Sequence, residues 1–261
     1  MLTAITREVS ATLGSCELTW LEREPIDIER AVAEHHAYER CLAELGVRVI
    51  SLPALDSHPD AVFVEDPAIV LDEVAVITTM GCESRRGERA SLAAALSPFR
   101  PLIHLRDPAK LEGGDVMRVG RHLYVGLSDR TDAAGVAQLG AELQPFGYEV
   151  HGVELRGCLH LKSACCCIAP DTILINRSWV DTGLFSNYRL IDVAEGEPGA
   201  ANALNIGDTI VMPNAFPQTA AILRREGFKV AELGMTELMK AESGVTCSSL
   251  IFQDNNFGEA C

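Results

Sequence analysis

The chain has 261 residues, of which 48% are hydrophobic and 23% charged, and its formal net charge is −15. This composition is typical of a folded globular protein, and the acidic balance excludes nucleic acid as a partner, because phosphates require clustered Lys and Arg. No apolar run reaches the roughly 18 residues of a membrane span, and the N-terminus has no signal-peptide core, so we expect a cytoplasmic protein without a membrane partner.

Helical patterns alternate with short β-branched runs along the chain. Helices are predicted at 27–45, 87–98, 132–146 and 217–226, with Asp132 as an N-cap. Strands are predicted at 68–71, 74–77, 122–125, 173–175 and 209–212. The order of these elements predicts a repeating group of two strands, a helix and a third strand.

The same short pattern occurs five times: a polar or reactive residue, an apolar run, a turn and a second apolar run. The copies are separated by 47, 48, 42 and 45 residues and open at Glu65, Glu112, His160, Asn202 and Cys247. A near-constant step indicates stacked units that cannot each bury their own apolar face. If the units surround an axis, their opening residues converge there.

The last copy is incomplete, because only fourteen residues follow Cys247. We expect the N-terminal run at 2–9 to pair with the strand after Cys247 and to close a ring without exposed sheet edges.

Nine cysteines are many for a cytoplasmic chain, but their number is odd and no pair of CxxC motifs occurs. The sequence therefore predicts neither a disulfide framework nor a structural zinc site. We interpret the run at 165–167 as small buried thiols in a strand.

The opening residues carry complementary chemistry. Asp66 and Glu112 would repel each other unless a cation lay between them, and a guanidinium presents paired donors to carboxylates. Cys247 could then attack the guanidinium carbon, with the imidazole of His160 nearby. The alternatives are a buried thiol, a core histidine and turn-forming acids, which explain the residue types but not the repetition.

Three further charges are candidate ligands for the rest of a substrate. Arg85 and Arg130 each follow a hairpin and could clamp a carboxylate, and Asp60 could pair with an ammonium group. Before any resemblance is considered, the simpler interpretation of each is a solvated surface charge.

Six sequence blocks resemble the dimethylargininase (dimethylarginine dimethylaminohydrolase) family of the guanidino-group-modifying superfamily. They are FVEDP at 63–67, SRRGE at 84–88, LEGGDV at 111–116, GLSDRT at 126–131, LHLKS at 159–163 and VTCSS at 245–249. TWLEREPID at 19–27 is similar to the lid of bacterial members. The resemblance implies an α/β five-bladed propeller (pentein), with residues 1–261 forming a single catalytic domain.

The resemblance also implies roles for individual residues. Cys247 would be the nucleophile and His160 the general acid and base, while Asp66 and Glu112, supported by Glu65, would hold the guanidinium. The remaining contacts are assigned as follows: the substrate α-carboxylate to Arg85 and Arg130, and its α-amino group to Asp60 and, by spacing, to backbone groups of Leu18 and Ala241. The family often has a branched apolar residue where this chain has Ala241.

The implied reaction converts Nω-methylated arginine into citrulline and methylamine or dimethylamine through a covalent S-alkylthiouronium. It requires no cofactor and no metal, although zinc could inhibit by binding Cys247 and His160. A homodimer is possible.

Two alternatives stay open. One is a related cysteine hydrolase of another guanidino or ureido compound, such as an arginine deiminase-like enzyme or a citrulline hydrolase. Known arginine deiminases carry an additional helical domain for which this chain has no room. The other is a non-enzymatic propeller that serves as a binding surface, which predicts loss of the Cys–His pair.

Overall fold

The computed structural model describes residues 1–254, and its strands form five three-stranded sheets. The strands are β1 (Leu2–Arg7), β2 (Arg48–Leu52), β3 (Ala68–Val70), β4 (Ala75–Ile77), β5 (Leu102–His104), β6 (Val116–Val119), β7 (His122–Leu127), β8 (Glu149–Glu154), β9 (Cys165–Ala169), β10 (Thr172–Ile175), β11 (Arg189–Asp192), β12 (Leu204–Ile206), β13 (Thr209–Pro213), β14 (Lys229–Leu233) and β15 (Leu250–Gln253). The α-helices are α1 (Ile28–Glu44), α2 (Glu88–Leu96), α3 (Ala133–Leu143), α4 (Leu161–Ala164), α5 (Pro217–Arg225) and α6 (Thr236–Met239). Short 3-10 helices occur at Leu13–Ser15, Glu83–Arg85, Gly113–Asp115, Gln144–Phe146, Thr182–Phe185 and Pro198–Ala201.

All five sheets have the same plan. An inner strand pairs antiparallel with a middle strand, as a hairpin in four of the sheets, and the middle strand pairs in parallel with an outer strand. A parallel pair needs a crossover, and a helix supplies it in four blades. In the fourth blade the crossover contains only the 3-10 helix Thr182–Phe185. The predicted order of strand, strand, helix, strand is therefore confirmed, with this one shortened crossover.

The chain ends close the ring. β1 pairs antiparallel with β15, in the register Leu2↔Gln253 to Ile5↔Leu250, and the Met1 and Asp254 backbones exchange hydrogen bonds of 3.2 and 2.8 Å. This pairing confirms the predicted closure. Residues 255–261 of the predicted 1–261 domain lie outside the described residues.

Inner strands of neighbouring blades pack against one another, as β15 does on β3 and β9 on β6 and β12. The middle strands are apolar and buried on both faces, as in Ala75–Ile77. In the cysteine run, Cys165 and Cys166 are buried and Cys167 is half-buried, all within β9. Across residues 1–254, none of the helices has both the length and the apolar character of a bilayer-spanning segment.

Candidate active site

The five repeat openings occupy equivalent places, each shortly before the inner strand of its blade. Glu65 and Asp66 precede β3, Glu112 precedes β6, His160 caps α4 before β9, Asn202 precedes β12, and Cys247 precedes β15. The residues therefore converge because the strands that follow them pack around the ring axis.

One small cavity collects most of the predicted site residues. Its volume is about 20 Å³, which is room for about one water molecule. The cavity is lined by Glu17, Asp60, Phe63, Asp66, Arg85, Arg130, Leu159, His160, Ala241, Glu242, Ser243 and Cys247. Three predicted site residues do not line the cavity but adjoin residues that do: Glu112 contacts His160, the amide of Glu65 donates to the Cys247 carbonyl, and Leu18 follows Glu17.

His160 and Glu112 form a buried ion pair. The Nε2 atom of His160 lies 2.9 Å from Oε2 of Glu112, and its Nδ1 lies 3.8 Å from Oδ1 of Asp66. Burial alone would lower the pKa of His160, but Asp66, Asp115 and Glu112 outweigh it and raise the pKa from 6.5 to about 9. His160 is thus an imidazolium at neutral pH, able to donate a proton.

The second oxygen of Glu112 is held by the backbone. Its Oε1 accepts hydrogen bonds from the amides of Gly81 and Cys82 at 3.0 and 3.2 Å. The preceding residue, Met80, has a φ of 59°, a left-handed conformation that a non-glycine residue adopts only when its surroundings impose it. Burial would raise the pKa of Glu112, but the hydrogen bond and charge of His160 lower it to about 2.

Asp66 requires a glycine beside it. Its Oδ1 accepts the amide of Gly114 at 3.2 Å, and a Cβ at Gly114 would lie 2.6 Å from both Asp66 Oδ1 and His160 Nδ1. The EGGD motif therefore allows two acidic residues and the imidazole to approach one another, which a side chain at this position would prevent.

Cys247 is held as a neutral thiol. Burial, followed by the charges of Glu65 and Asp66, raises the pKa of its thiol well above the ordinary value. Its Sγ accepts a hydrogen bond from the amide of Gly244 at 3.4 Å, and its carbonyl oxygen accepts one from the backbone amide of Glu65 at 3.2 Å. A cation bound between the carboxylates would offset their charge and favour the thiolate.

Glu65 and Asn202 support the nucleophile loop. Glu65 is paired with Lys162 at 2.5 Å and accepts the hydroxyl of Thr246 at 2.8 Å. Asn202 exchanges two hydrogen bonds with Thr246, from its Nδ2 to the hydroxyl at 3.0 Å and from the Thr246 amide to its Oδ1 at 3.1 Å. The repeat pattern identified Asn202 as an opening residue. No local motif indicated that its side chain would hold Thr246, the residue before Cys247.

Arg85 is buried and engaged by protein acceptors. It forms a two-point contact with Glu88 at 2.9 and 3.0 Å and an ion pair with Asp66 at 2.7 Å. Its Nη2 also donates to the carbonyls of Asp60 and Phe63. Sequence reasoning missed Glu88, although SRRGE places it three residues after Arg85, one helical turn away.

Arg130 and Asp60 connect the site to the N-terminal segment. Arg130 lies 3.5 Å from Glu112 and donates to the hydroxyl of Thr19 at 3.0 Å. Both oxygens of Asp60 accept the amide of Glu17, at 3.1 and 3.2 Å.

Glu242, which lines the cavity, binds the backbone of the segment 19–21. Its carboxylate accepts three consecutive backbone amides, those of Thr19, Trp20 and Leu21, at 2.9, 2.5 and 2.5 Å. Its φ of 57° lies in the left-handed region. We call residues 18–21 the lid segment. Ala241, which precedes Glu242, is buried at the cavity wall.

The sequence is similar to those of known proteins. Residues 12–202 match the model of the family described as N,N dimethylarginine dimethylhydrolase, eukaryotic. A dimethylarginine dimethylaminohydrolase of Streptomyces coelicolor is 36% identical over 95% of both chains. The chain belongs to the dimethylarginine dimethylaminohydrolase family. Membership confirms the resemblance seen in the sequence and makes the chain a hydrolase that acts on carbon–nitrogen bonds.

Other relatives agree with this placement. The corresponding enzyme of Pseudomonas aeruginosa is 35% identical, over 87% of this chain and 90% of that protein. Its structure as a cysteine-to-serine variant with citrulline has a TM-score of 0.91 at 33% identity and covers 96% of this chain and 98% of the other. The N-terminal domain of ArgZ, at 22% identity and a TM-score of 0.88 over 97% and 98%, shows the fold alone. The predicted five-bladed pentein propeller is therefore confirmed.

Proposed function

We propose that this chain hydrolyses Nω-methylated arginine to citrulline and methylamine or dimethylamine through a covalent intermediate on Cys247. The observation that carries the proposal is that Cys247, His160 and Asp66, from three blades, line one small cavity, while Glu112, from a fourth blade, is hydrogen-bonded to His160. The Streptomyces coelicolor and Pseudomonas aeruginosa relatives act, by name, on dimethylarginine, and a cysteine-to-serine variant of the Pseudomonas aeruginosa protein binds citrulline.

Substrate binding prepares the nucleophile. The substrate guanidinium would be held by Asp66 and Glu112, whose oxygens already converge on His160. Its positive charge offsets the field that keeps the Cys247 thiol protonated, so the thiol proton leaves to solvent and a thiolate forms.

The first half-reaction forms a carbon–sulfur bond. The Cys247 thiolate attacks the guanidinium carbon, and His160, protonated in the free protein, gives its proton to the departing alkylamine nitrogen. The carbon–nitrogen bond breaks, the amine leaves, and a planar S-alkylthiouronium cation remains.

The second half-reaction reverses the role of His160. Now neutral, the imidazole accepts one proton from water while the water oxygen attacks the thiouronium carbon and forms a tetrahedral adduct. The carbon–sulfur bond then breaks as the hydroxyl proton of the adduct passes to the sulfur, which releases neutral citrulline and restores the Cys247 thiol and the His160 imidazolium.

The amino-acid end of the substrate would lie towards the lid segment. Arg130 faces both Glu112 and Thr19, which suits a carboxylate ligand, and Asp60 with the backbone of Leu18 and Ala241 would receive the α-amino group. Arg85 can contribute to carboxylate binding only by sharing donors that now serve Glu88 and Asp66.

The proposal is tested by incubating the protein separately with asymmetric dimethylarginine and with arginine, while citrulline and released amine are measured. We expect citrulline and dimethylamine in equal amounts from dimethylarginine. Cys247→Ser should abolish turnover, and Cys41→Ser, at another half-buried thiol, should preserve it. Citrulline from arginine alone would assign the chain to the alternative guanidino hydrolases, and activity in Cys247→Ser would refute the covalent route.

Three other features stay predictions from the sequence: a single catalytic domain over 1–261, a cytoplasmic location and a possible homodimer.

A further inference from the structure

A second cluster of titratable side chains lies on the third blade. β7 and β8 run in parallel, and His122 at the start of β7 is in register with Glu149 at the start of β8. His151 lies two residues after Glu149, so both side chains point to the same face of β8. The cavity around Cys247 is lined by other segments of the chain. We call His122, Glu149 and His151 the outer-strand triad.

One potential ligand atom from each side chain of the triad lies within 3.8 Å of the other two. Nδ1 of His122 lies 3.2 Å from Nε2 of His151 and 3.5 Å from Oε2 of Glu149, and the third side, from His151 Nε2 to the same oxygen, is 3.8 Å. The three distances thus join one atom of each residue to one atom of each of the other two. The triad therefore presents two imidazole nitrogens and one carboxylate oxygen as a triangle.

The size of this triangle matches a transition-metal ion. In a tetrahedral zinc site with bonds of about 2.0–2.1 Å, neighbouring ligand atoms are roughly 3.3–3.4 Å apart. The observed sides of 3.2, 3.5 and 3.8 Å bracket this spacing. An ion about 2.1 Å from each of the three atoms would lie about 0.5 Å outside their plane, close to the roughly 0.7 Å of an ideal tetrahedral site. Shifts of a few tenths of an ångström, mainly along the 3.8 Å side between His151 and Glu149, would bring the three atoms to the ideal spacing.

The neighbouring aromatic ring orients one ligand. Tyr124, the register partner of His151, stacks on its imidazole with ring centroids 5.3 Å apart. The triad is half-exposed, with 43%, 67% and 33% of the side chains of His122, Glu149 and His151 accessible, so an ion can reach it from solvent.

We propose that the outer-strand triad is a surface site for a late first-row divalent cation, with zinc as the best fit. Two imidazoles and one carboxylate favour zinc, cobalt, nickel or copper over magnesium and calcium, which prefer oxygen ligands. Three protein ligands leave the fourth tetrahedral position to water or to a ligand from outside. Because α3 separates β7 from β8 in the chain, a bound ion would link the start of β7 to the start of β8 and stabilise the folded protein.

The test measures zinc binding by the full chain in a Cys247→Ser background, which removes the thiol that could bind zinc together with His160. Equilibrium dialysis against zinc chloride is compared for this background alone and with His122→Ala, Glu149→Gln or His151→Ala. His104→Ala is the matched control, because His104 is an exposed imidazole at the end of the outer strand of the neighbouring blade.

We expect each triad variant to lose one zinc equivalent, or to bind it more than about ten-fold more weakly, since even outer partners of metal ligands change affinity ~10–100-fold. His104→Ala should bind like the background. Zinc, but not magnesium, should raise the unfolding temperature of the background, and His151→Ala should abolish this rise. Equal zinc affinity and stoichiometry in His151→Ala and the background would overturn the proposal, because the triad would then be an ordinary hydrogen-bonded histidine pair.

Discussion

Asp115 offers a way to change the proton affinity of His160 without touching the substrate cavity. It is fully buried, and its carboxylate accepts the amide of Leu161 at 3.0 Å and the hydroxyl of Ser128 at 2.7 Å. It is also the second of the three carboxylates that raise the pKa of His160. Burial raises the pKa of Asp115 itself to about 6, so it is mostly ionised at pH 7. Asp115→Asn keeps the shape and an acceptor but removes the charge.

The size of the effect follows from the pKa of His160. Three carboxylates together raise it from 6.5 to about 9 against the opposing effect of burial, so each supplies roughly one pH unit. Removing one charge should move the alkaline limb of the kcat/KM profile to lower pH by about one unit. This shift corresponds to a loss of about 1.4 kcal/mol in the proton affinity of His160. The profile with dimethylarginine and a direct NMR titration of the imidazole would both report this change.

The matched control is Asp129→Asn, which removes the same charge from an exposed position in the neighbouring loop. Because water and salt screen that charge, the alkaline limb should stay where it is in the unchanged protein. If Asp115→Asn leaves the limb unmoved, or if both variants move it equally, the buried carboxylates do not set the proton affinity of His160.

Three further predictions concern the thiol, the lid and stability. Alkylation of Cys247 by iodoacetamide, followed by peptide mass spectrometry, should be slow at pH 7 and accelerate with pH, whereas a cationic haloacetamidine should react faster; equal rates at pH 7 would contradict the raised pKa. Glu242→Gln should accelerate hydrogen exchange of the amides at 19–21 by about ten-fold, as expected from loss of about 1.5 kcal/mol of charge-assisted hydrogen bonding, and unchanged protection would exclude a fastening role. Because the folded-state pKa of His160 is raised, its contribution to stability is complete below pH 6.5 and is lost as the pH rises through about 9; denaturant titrations should show a loss of about 3 kcal/mol over this window, and a flat profile would exclude it.

The repeat made most of the fold predictable. Because each blade has the same order of inner, middle and outer strand, a constant step in the sequence places equivalent residues at equivalent points of the ring. Pairing of the N-terminal run with the strand after Cys247 followed from the incomplete last copy, since an open ring would expose two sheet edges. The fourth crossover was not predicted, because its 3-10 helix Thr182–Phe185 has too few residues for a periodic apolar pattern.

The contacts between side chains were harder to predict. The sequence placed Cys247, His160, Asp66 and Glu112 at one point, but it did not show that the thiol would be neutral, since this depends on burial and on two charges from another blade. Motif matching also marked Arg85 as a substrate ligand without showing that Glu88 and Asp66 occupy its donors.

The lid contact lay beyond any local pattern. Glu242 binds amides at 19–21, more than two hundred residues away in the chain, and one carboxylate in a polar loop gives no periodic signal. The cavity of about 20 Å³, which Glu242 also lines, is too small for an arginine side chain, so the residues around it have to rearrange when substrate enters.

The most direct test of the account is acid quenching of the protein during turnover of dimethylarginine, followed by mass spectrometry of the peptide that contains Cys247. We expect a fraction of this peptide to carry the substrate less its dimethylamine, attached through sulfur, and to lose this mass when turnover is complete. Citrulline formation with an unmodified Cys247 at every quench time, or with the adduct on another residue, would contradict the account.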